Sequence, residues 1–350
     1  MLFPKRLAVQ PSPPENIQTA LLYQACKPAD PDEFIKHINK VIDFTGLEFE
    51  STIHGHGRNF FIVGGGLYIQ VEQSLNPLAA GGFHQTLSSP FTRISFPEAG
   101  EAVRSHTSHV LINIGKGIPM PAITGIDLPD AALSKGEFSI ALTLAQVATN
   151  FFFHRAEPMA VHWGQSNILL SGKAYGALAQ QPDPMPLYIH PSLFSSRAVV
   201  RGRQVIGFRT FGAAHFLGKE IVFNEAPVPL DWMLSRVYSF VGTMRERGEL
   251  PPAGDSFGLS ADEVIRISYN TPSPEDPEEF IGLSLERCPE FGIGDVEPNP
   301  SPVPQSAPPA PPQAAPQPRT DPPSGMRPSP PARPERRPYG SRTVFGKRRV

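Results

Sequence analysis

Cysteine is nearly absent from this chain of 350 residues: Cys26 and Cys288 are the only two, and neither belongs to a Cys-x-x-Cys pair. That excludes a disulfide framework and a cysteine-based zinc site, and it points to a reduced, cytoplasmic setting. Long apolar runs are missing too. The longest, Phe138–Phe153, is shorter than the roughly 20 residues that span a bilayer. Thr143, Gln146, Thr149 and Asn150 interrupt it, so it reads as a buried helix without membrane insertion. The first residues, Met1-Leu-Phe-Pro-Lys-Arg6, lack the apolar core of a signal peptide.

The common phosphate and metal motifs are absent as well. Gly115-Lys116-Gly117 has no Ser or Thr after the lysine, and Gly64–Gly66 sits in a hairpin pattern, where it opens no helix. Two histidine pairs remain, His54/His56 and His106/His109. An HxH pair on a strand faces one way and could hold a metal, but no third ligand motif stands near, so no metal or other cofactor is assigned. Gly164-Gln-Ser166-Asn-Ile168 has the outline of a nucleophile elbow, with Ile168 where a small residue is required.

Positive charge is scarce over most of the chain. Residues 319–350 hold nine Lys or Arg against two Asp or Glu, a net of +7; the whole chain carries −2, so residues 1–318 carry −9. An acidic body is a poor nucleic-acid binder, because affinity for phosphates comes from clustered Lys and Arg.

What the chain has in excess is proline, with 17 of its 42 prolines between Pro298 and Pro338. Such a stretch has few donors for backbone pairing and little apolar surface to bury, which predicts a disordered, extended linker over 295–338. It leads to a basic peptide, 339–350, in which Tyr339 and Phe345 stand among Arg342, Lys347, Arg348 and Arg349. Aromatic and Arg side chains dominate interface energies, so this peptide reads as a docking element for another protein.

The rest is patterned for α+β. A flexible stretch, 1–16, precedes an N-terminal lobe, 17–120. A strand starts at Thr19, and Asp30-Pro31-Asp32-Glu33 opens a helix with Phe34, Ile38, Val41 and Ile42 on its apolar face. Phe60–Val63 and Leu67–Val71 are strands across the three glycines. About 20 irregular residues follow, then a capping box at Ser95-Phe-Pro-Glu98 and the strand His109–Ile114. The order β-α-β-β-α-β predicts a ferredoxin-like lobe with helices on one face of an antiparallel sheet.

A second α+β lobe, 121–294, follows with the helix Glu137–His154 and strands at Met159–Trp163, Val199–Thr210 and Lys219–Phe223. A helix opened by Pro229 and Asp231 ends at Gly248, before the strands Val264–Tyr269 and Phe280–Leu285. Candidate surface residues of the body are His162, Trp163, Ser166 and Glu220.

Several segments together carry a family likeness: Ala160-Val-His-Trp-Gly164, Arg209–Phe223 with Gly212, Gly218 and Glu220, Ala226-Pro-Val-Pro229, and Gly254-Asp-Ser-Phe-Gly258. Over about residues 90–285 the chain resembles a bacterial family known only as domain of unknown function 4261. The resemblance implies a bacterial, non-membrane α+β protein and brings no catalytic residues. Some members of the family occur near contact-dependent secretion or toxin–immunity systems.

The leading expectation is a non-enzymatic bacterial interaction or adaptor protein. The alternatives are an accessory or immunity protein of a contact-dependent secretion system, and a metal-dependent or serine hydrolase using His54, His56, His106, His109 or His162.

Overall fold

The computed structural model describes residues 6–53, 59–117, 132–270, 272 and 278–294. His54, His56 and the whole of 295–350, with every docking-peptide residue, lie outside them.

A short β1 (Leu7–Ala8) leads to β2 (Asn16–Tyr23). Helix α1 (Pro31–Ile42) then starts where its local chemistry dictates. Asp30 is extended, and its carboxylate accepts from the amides of Asp32 and Glu33. Phe34, Ile38 and Ile42 are buried, whereas Val41 is 41% exposed, at the rim of a stripe centred near Ile38. Strands β3 (Glu50–Ile53), β4 (Phe60–Gly64) and β5 (Leu67–Ser74) run antiparallel in succession. The β4–β5 turn needs φ of +58° at Gly65 and +79° at Gly66, which glycine adopts without a Cβ clash.

The stretch after β5, expected to be irregular, is folded into a 3-10 turn at Ala80–Phe83, α2 (His84–Ser88) and α3 (Pro90–Ser95). The expected capping box at Ser95 does not form. Ser95 belongs to α3, where its hydroxyl donates to the carbonyl of Phe91 at 2.9 Å, and α4 (Ala99–Ser105) starts without a side-chain cap. Strand β6 (Ser108–Lys116) follows. Helix α5 (Lys135–Arg155) opens with a full capping box between Ser134 and Glu137 and leads to β7 (Ala160–Trp163) and β8 (Ile168–Ser171).

These strands form one sheet of order β3-β4-β5-β6-β2-β7-β8, antiparallel at every pairing. A ferredoxin-like sheet would set β2 beside β5. Here β5 pairs with β6, because the short helices between them return the chain alongside the strand it has just left. Nor does the sheet end near residue 120: β7 and β8 extend it to Ser171.

Helices cover both faces, which corrects the one-faced expectation. Alternate residues of β2 point opposite ways. Ile17, Leu21 and Tyr23 join α1 and α5 in the main core, where Thr19 and Thr149 share a buried hydroxyl bond of 2.9 Å. Leu22, with Ala160 and Leu169, instead packs against Phe83, Phe96, Ala102 and Val103 in a second apolar cluster.

The chain continues through α6 (Gly172–Ala179), α7 (Met185–Tyr188) and β9 (His190–Phe194). The one strand expected over 199–210 is three: β10 (Val199–Val200), β11 (Arg203–Gln204) and β12 (Ile206–Phe211). Arg201 and Gly202, both at positive φ, turn the chain between the first two. After α8 (Ala214–Leu217) come β13 (Glu220–Ala226), α9 (Leu230–Arg247) with Gly248 as its left-handed end, and β14 (Glu249–Leu250). The last strands are β15 (Ser256–Phe257), β16 (Val264–Tyr269) and β17 (Phe280–Arg287).

The second sheet has the order β15-β16-β17-β13-β12-β9 and is antiparallel except between β13 and β17. Residues of both sheets belong to one apolar core, from Leu170 and Phe152 to Phe223 and Val237. The class is α+β, and no helix among the described residues is long and apolar enough to cross a membrane.

Candidate functional site

Three of the four body residues expected at the surface are inside. His162 is 7% exposed, and Trp163 and Ser166 are fully buried. His162 and Trp163 end β7, and Ser166 lies in the turn Gly164–Asn167 that joins β7 to β8. A nucleophile elbow needs a strand that turns into a helix. Here the chain turns back into a strand at Ile168, because Asn167 takes the left-handed conformation (φ 54°) that closes a hairpin.

Each polar group of that turn is bonded to a neighbouring element. The Ser166 hydroxyl donates to the carbonyl of Leu187 at 2.6 Å. Gln165 accepts from the Trp163 indole at 3.2 Å and donates to the carbonyl of Tyr188 at 3.2 Å. Asn167 Oδ1 accepts from the Thr86 hydroxyl at 2.5 Å and from His162 Nε2 at 3.2 Å. Ser166 is therefore a fastening between the first sheet and α7, and His162 is a core ring standing edge-on to Phe83 at 5.4 Å. Burial lowers the His162 pKa, against the opposing pull of the Asn167 hydrogen bond.

Close to this turn lies a histidine that the sequence reading passed over. His190 is 3% exposed; its Nε2 meets the Ser89 hydroxyl at 3.1 Å, and its Nδ1 is buried without a hydrogen-bond partner. Burial, followed by the charge of His162, lowers its pKa to about 4.

Glu220 is half-buried at the start of β13 and serves as a bracket for the loop ahead of α8. Its carboxylate accepts from the Thr210 hydroxyl at 2.6 Å, the Gly212 amide at 2.9 Å and the Ala213 amide at 3.2 Å. Gly212 has φ of +102°, and a Cβ there would come within 2.1 Å of the Tyr188 carbonyl oxygen. Gly212 and Glu220 thus hold one loop together.

The second histidine pair also divides its work. His106 donates from Nδ1 to the carbonyl of Val103 at 2.7 Å, and its Nε2 accepts from the Leu78 amide at 2.8 Å, so both nitrogens are used. His109 donates from Nδ1 to the carbonyl of Asn76 at 2.7 Å, and burial lowers its pKa. Among the described residues no group of three or more His, Cys, Asp or Glu converges as metal ligands would. Cys26 and Cys288 are both buried and unpaired.

A concave site of the body lies elsewhere. A cavity of about 240 Å³ opens between α5, the segment before β9, α8 and α9. Phe138, Leu142, Tyr188 and Phe216 supply its apolar walls, while Lys135 and Arg245 bring positive charge to it. Arg245 lies over the Phe216 ring at 5.4 Å and meets Asp183 at 3.4 Å. On one wall His215 places Nδ1 2.8 Å from the carbonyl of Ser12 and Nε2 3.3 Å from that of Gln165. Sequence reading missed this site, because its residues come from five separated segments and form no motif.

No family model matches the chain, and no curated protein matches it.

Proposed function

We propose that the chain is a non-enzymatic bacterial interaction protein of the cytoplasm, whose α+β body carries the docking peptide 339–350 on a Pro-rich spacer. The observation behind this reading is the charge division, −9 over residues 1–318 against +7 over 319–350, with Tyr339 and Phe345 set among Arg342, Lys347, Arg348 and Arg349. Two aromatics amid arginines are the anchors a short peptide needs, since such side chains carry most interface energy. The roles of Ser166, His162 and Glu220 support it: each is hydrogen-bonded within the fold, and the Ser166 hydroxyl donates to the Leu187 carbonyl, not to His162.

The test compares the full chain with the full chain carrying Tyr339→Ala and Phe345→Ala, each immobilised against extract of the native cells and read by quantitative mass spectrometry. At least one protein held by the first form should fall roughly tenfold or more with the second. Equal recovery of every protein by both forms would overturn the reading.

A second reading follows from the resemblance to the domain-of-unknown-function 4261 family: an accessory or immunity protein of a contact-dependent secretion system. It requires one-to-one binding to a product encoded beside this chain, and co-purification that recovers no such complex would retire it.

A further inference from the structure

We infer that the cavity between α5, α8 and α9 is a binding site for a small monoanion with a flat apolar body, of the chemical class of the aromatic monocarboxylates. The inference is independent of the docking peptide.

Size sets the first constraint. At about 240 Å³ the cavity is smaller than the ~300–1,000 Å³ that holds drug-sized ligands, so its occupant is compact. Shape and polarity set the second. Phe138 and Phe216 stand 5.3 Å apart with their planes at 54°, and Tyr188 and Phe216 follow at 6.1 Å and 39°. Rings arranged in this way favour another aromatic face or edge as their next neighbour.

Charge sets the third. Two permanent cations, Lys135 and Arg245, line the cavity, against one carboxylate, Asp183. Among the described residues Lys135 has no acidic partner. Arg245 touches Asp183 through one nitrogen, and a guanidinium carries five N–H donors, so most of its hydrogen-bonding capacity is unspent. Its guanidinium carbon lies 5.4 Å from the centre of the Phe216 ring, and a planar fork of this kind can receive a carboxylate on two parallel bonds. His215 stands on the same wall, with its two ring nitrogens facing the carbonyls of Ser12 and Gln165. A monocarboxylate meets this excess of cations, whereas a neutral aromatic leaves Lys135 and Arg245 as they were.

Indole-3-acetate is the probe, with the neutral isostere indole-3-acetamide as its control, titrated calorimetrically into the full chain. The acid should bind saturably with a dissociation constant in the millimolar range or tighter, and the amide should bind roughly tenfold more weakly or worse. Arg245→Met keeps a chain of similar length over Phe216 and removes the charge; it should cost the acid roughly tenfold in affinity and leave the amide unchanged. Saturable binding of the amide as tight as that of the acid would overturn the proposal, as would no binding of the acid. Unchanged acid binding by a folded Arg245→Met protein would also overturn it. The comparison of acid with amide on the unaltered chain gives a decision even where the variant fails to fold.

Discussion

Acidification should destabilise this body through His190, and by an amount the structure sets. An ordinary histidine titrates near 6.5, and burial with the nearby His162 holds this one at about 4. Between those values the unfolded chain binds a proton that the folded chain refuses. Stability is therefore fully present above the unfolded value and falls as pH drops from about 6.5 towards 4. Integrating the proton-binding difference from pH 7 to pH 5 gives a loss of about 2 kcal/mol from this one side chain. At an m-value of about 3 kcal/mol/M, the urea midpoint should fall by roughly 0.7 M. The variant His190→Gln removes the titration and keeps a polar group near Ser89, so it isolates the effect from carboxylates and from His162. Urea unfolding at pH 7 and pH 5, followed by fluorescence of Trp163 and Trp232, should show the extra 0.7 M shift in the parent and not in the variant. Equal shifts in the two proteins would refute the assignment of acid sensitivity to His190.

Two further substitutions address residues that hold the second sheet. Glu263 is 7% exposed and accepts three contacts from Arg236 at 2.7 to 3.2 Å, and Arg236 lies 4.2 Å over Trp232. Glu263→Gln leaves that cation without a counter-charge in a mostly buried place and should cost about 3 kcal/mol by urea unfolding; a cost under about 1 kcal/mol would mean the pair is solvated. Glu220→Ala strips the acceptor from the Gly212 and Ala213 amides and the Thr210 hydroxyl. It should cost about 3 kcal/mol and lower the melting temperature by roughly 6 to 12 °C in calorimetry, and a fall within error of zero would show that water replaces the carboxylate.

What could be read from the sequence was what is local. Asp30-Pro31 capped a helix because the cap is a contact between residues two and three apart. Gly65 and Gly66 made the hairpin because the turn demands positive φ at both. The strand Val264–Tyr269 was legible residue for residue from its apolar alternation. Partners of a strand are different, since they depend on how the connection returns. The pattern around β5 and β6 suits a crossover as well as a meander, and only the short helices α2 to α4 decide for the meander. Capping signals fail for a related reason. Ser95 reads as an N-cap by its neighbours, yet the helix begun at Pro90 already claims it.

The body's candidate residues expose the same limit in chemical terms. Ser166 looked like a nucleophile because glycine, serine and a preceding strand coincide in eight letters of sequence. What decides its role is the acceptor it faces, and that acceptor, the Leu187 carbonyl, lies 21 residues away. A hydroxyl that donates at 2.6 Å to a carbonyl with no base beside it is a fastening, whatever surrounds it in sequence. The cavity reverses the case. Phe138, Tyr188, Phe216 and Arg245 are each unremarkable in sequence: a helix aromatic, a residue before a strand, a loop aromatic and an arginine suited to a helix end. Arg245 does suit the C-terminal end of α9, where a cation is favoured by the helix dipole. That local explanation is sufficient for a sequence reader and hides the second role, because the dipole needs only a charge, whereas the cavity needs a planar fork held over Phe216. Substituting lysine separates the two: Arg245→Lys keeps the charge at the helix end and discards the fork. It should leave the melting temperature nearly unchanged while weakening the carboxylate probe, and if both properties hold steady, the arginine is there for the helix alone.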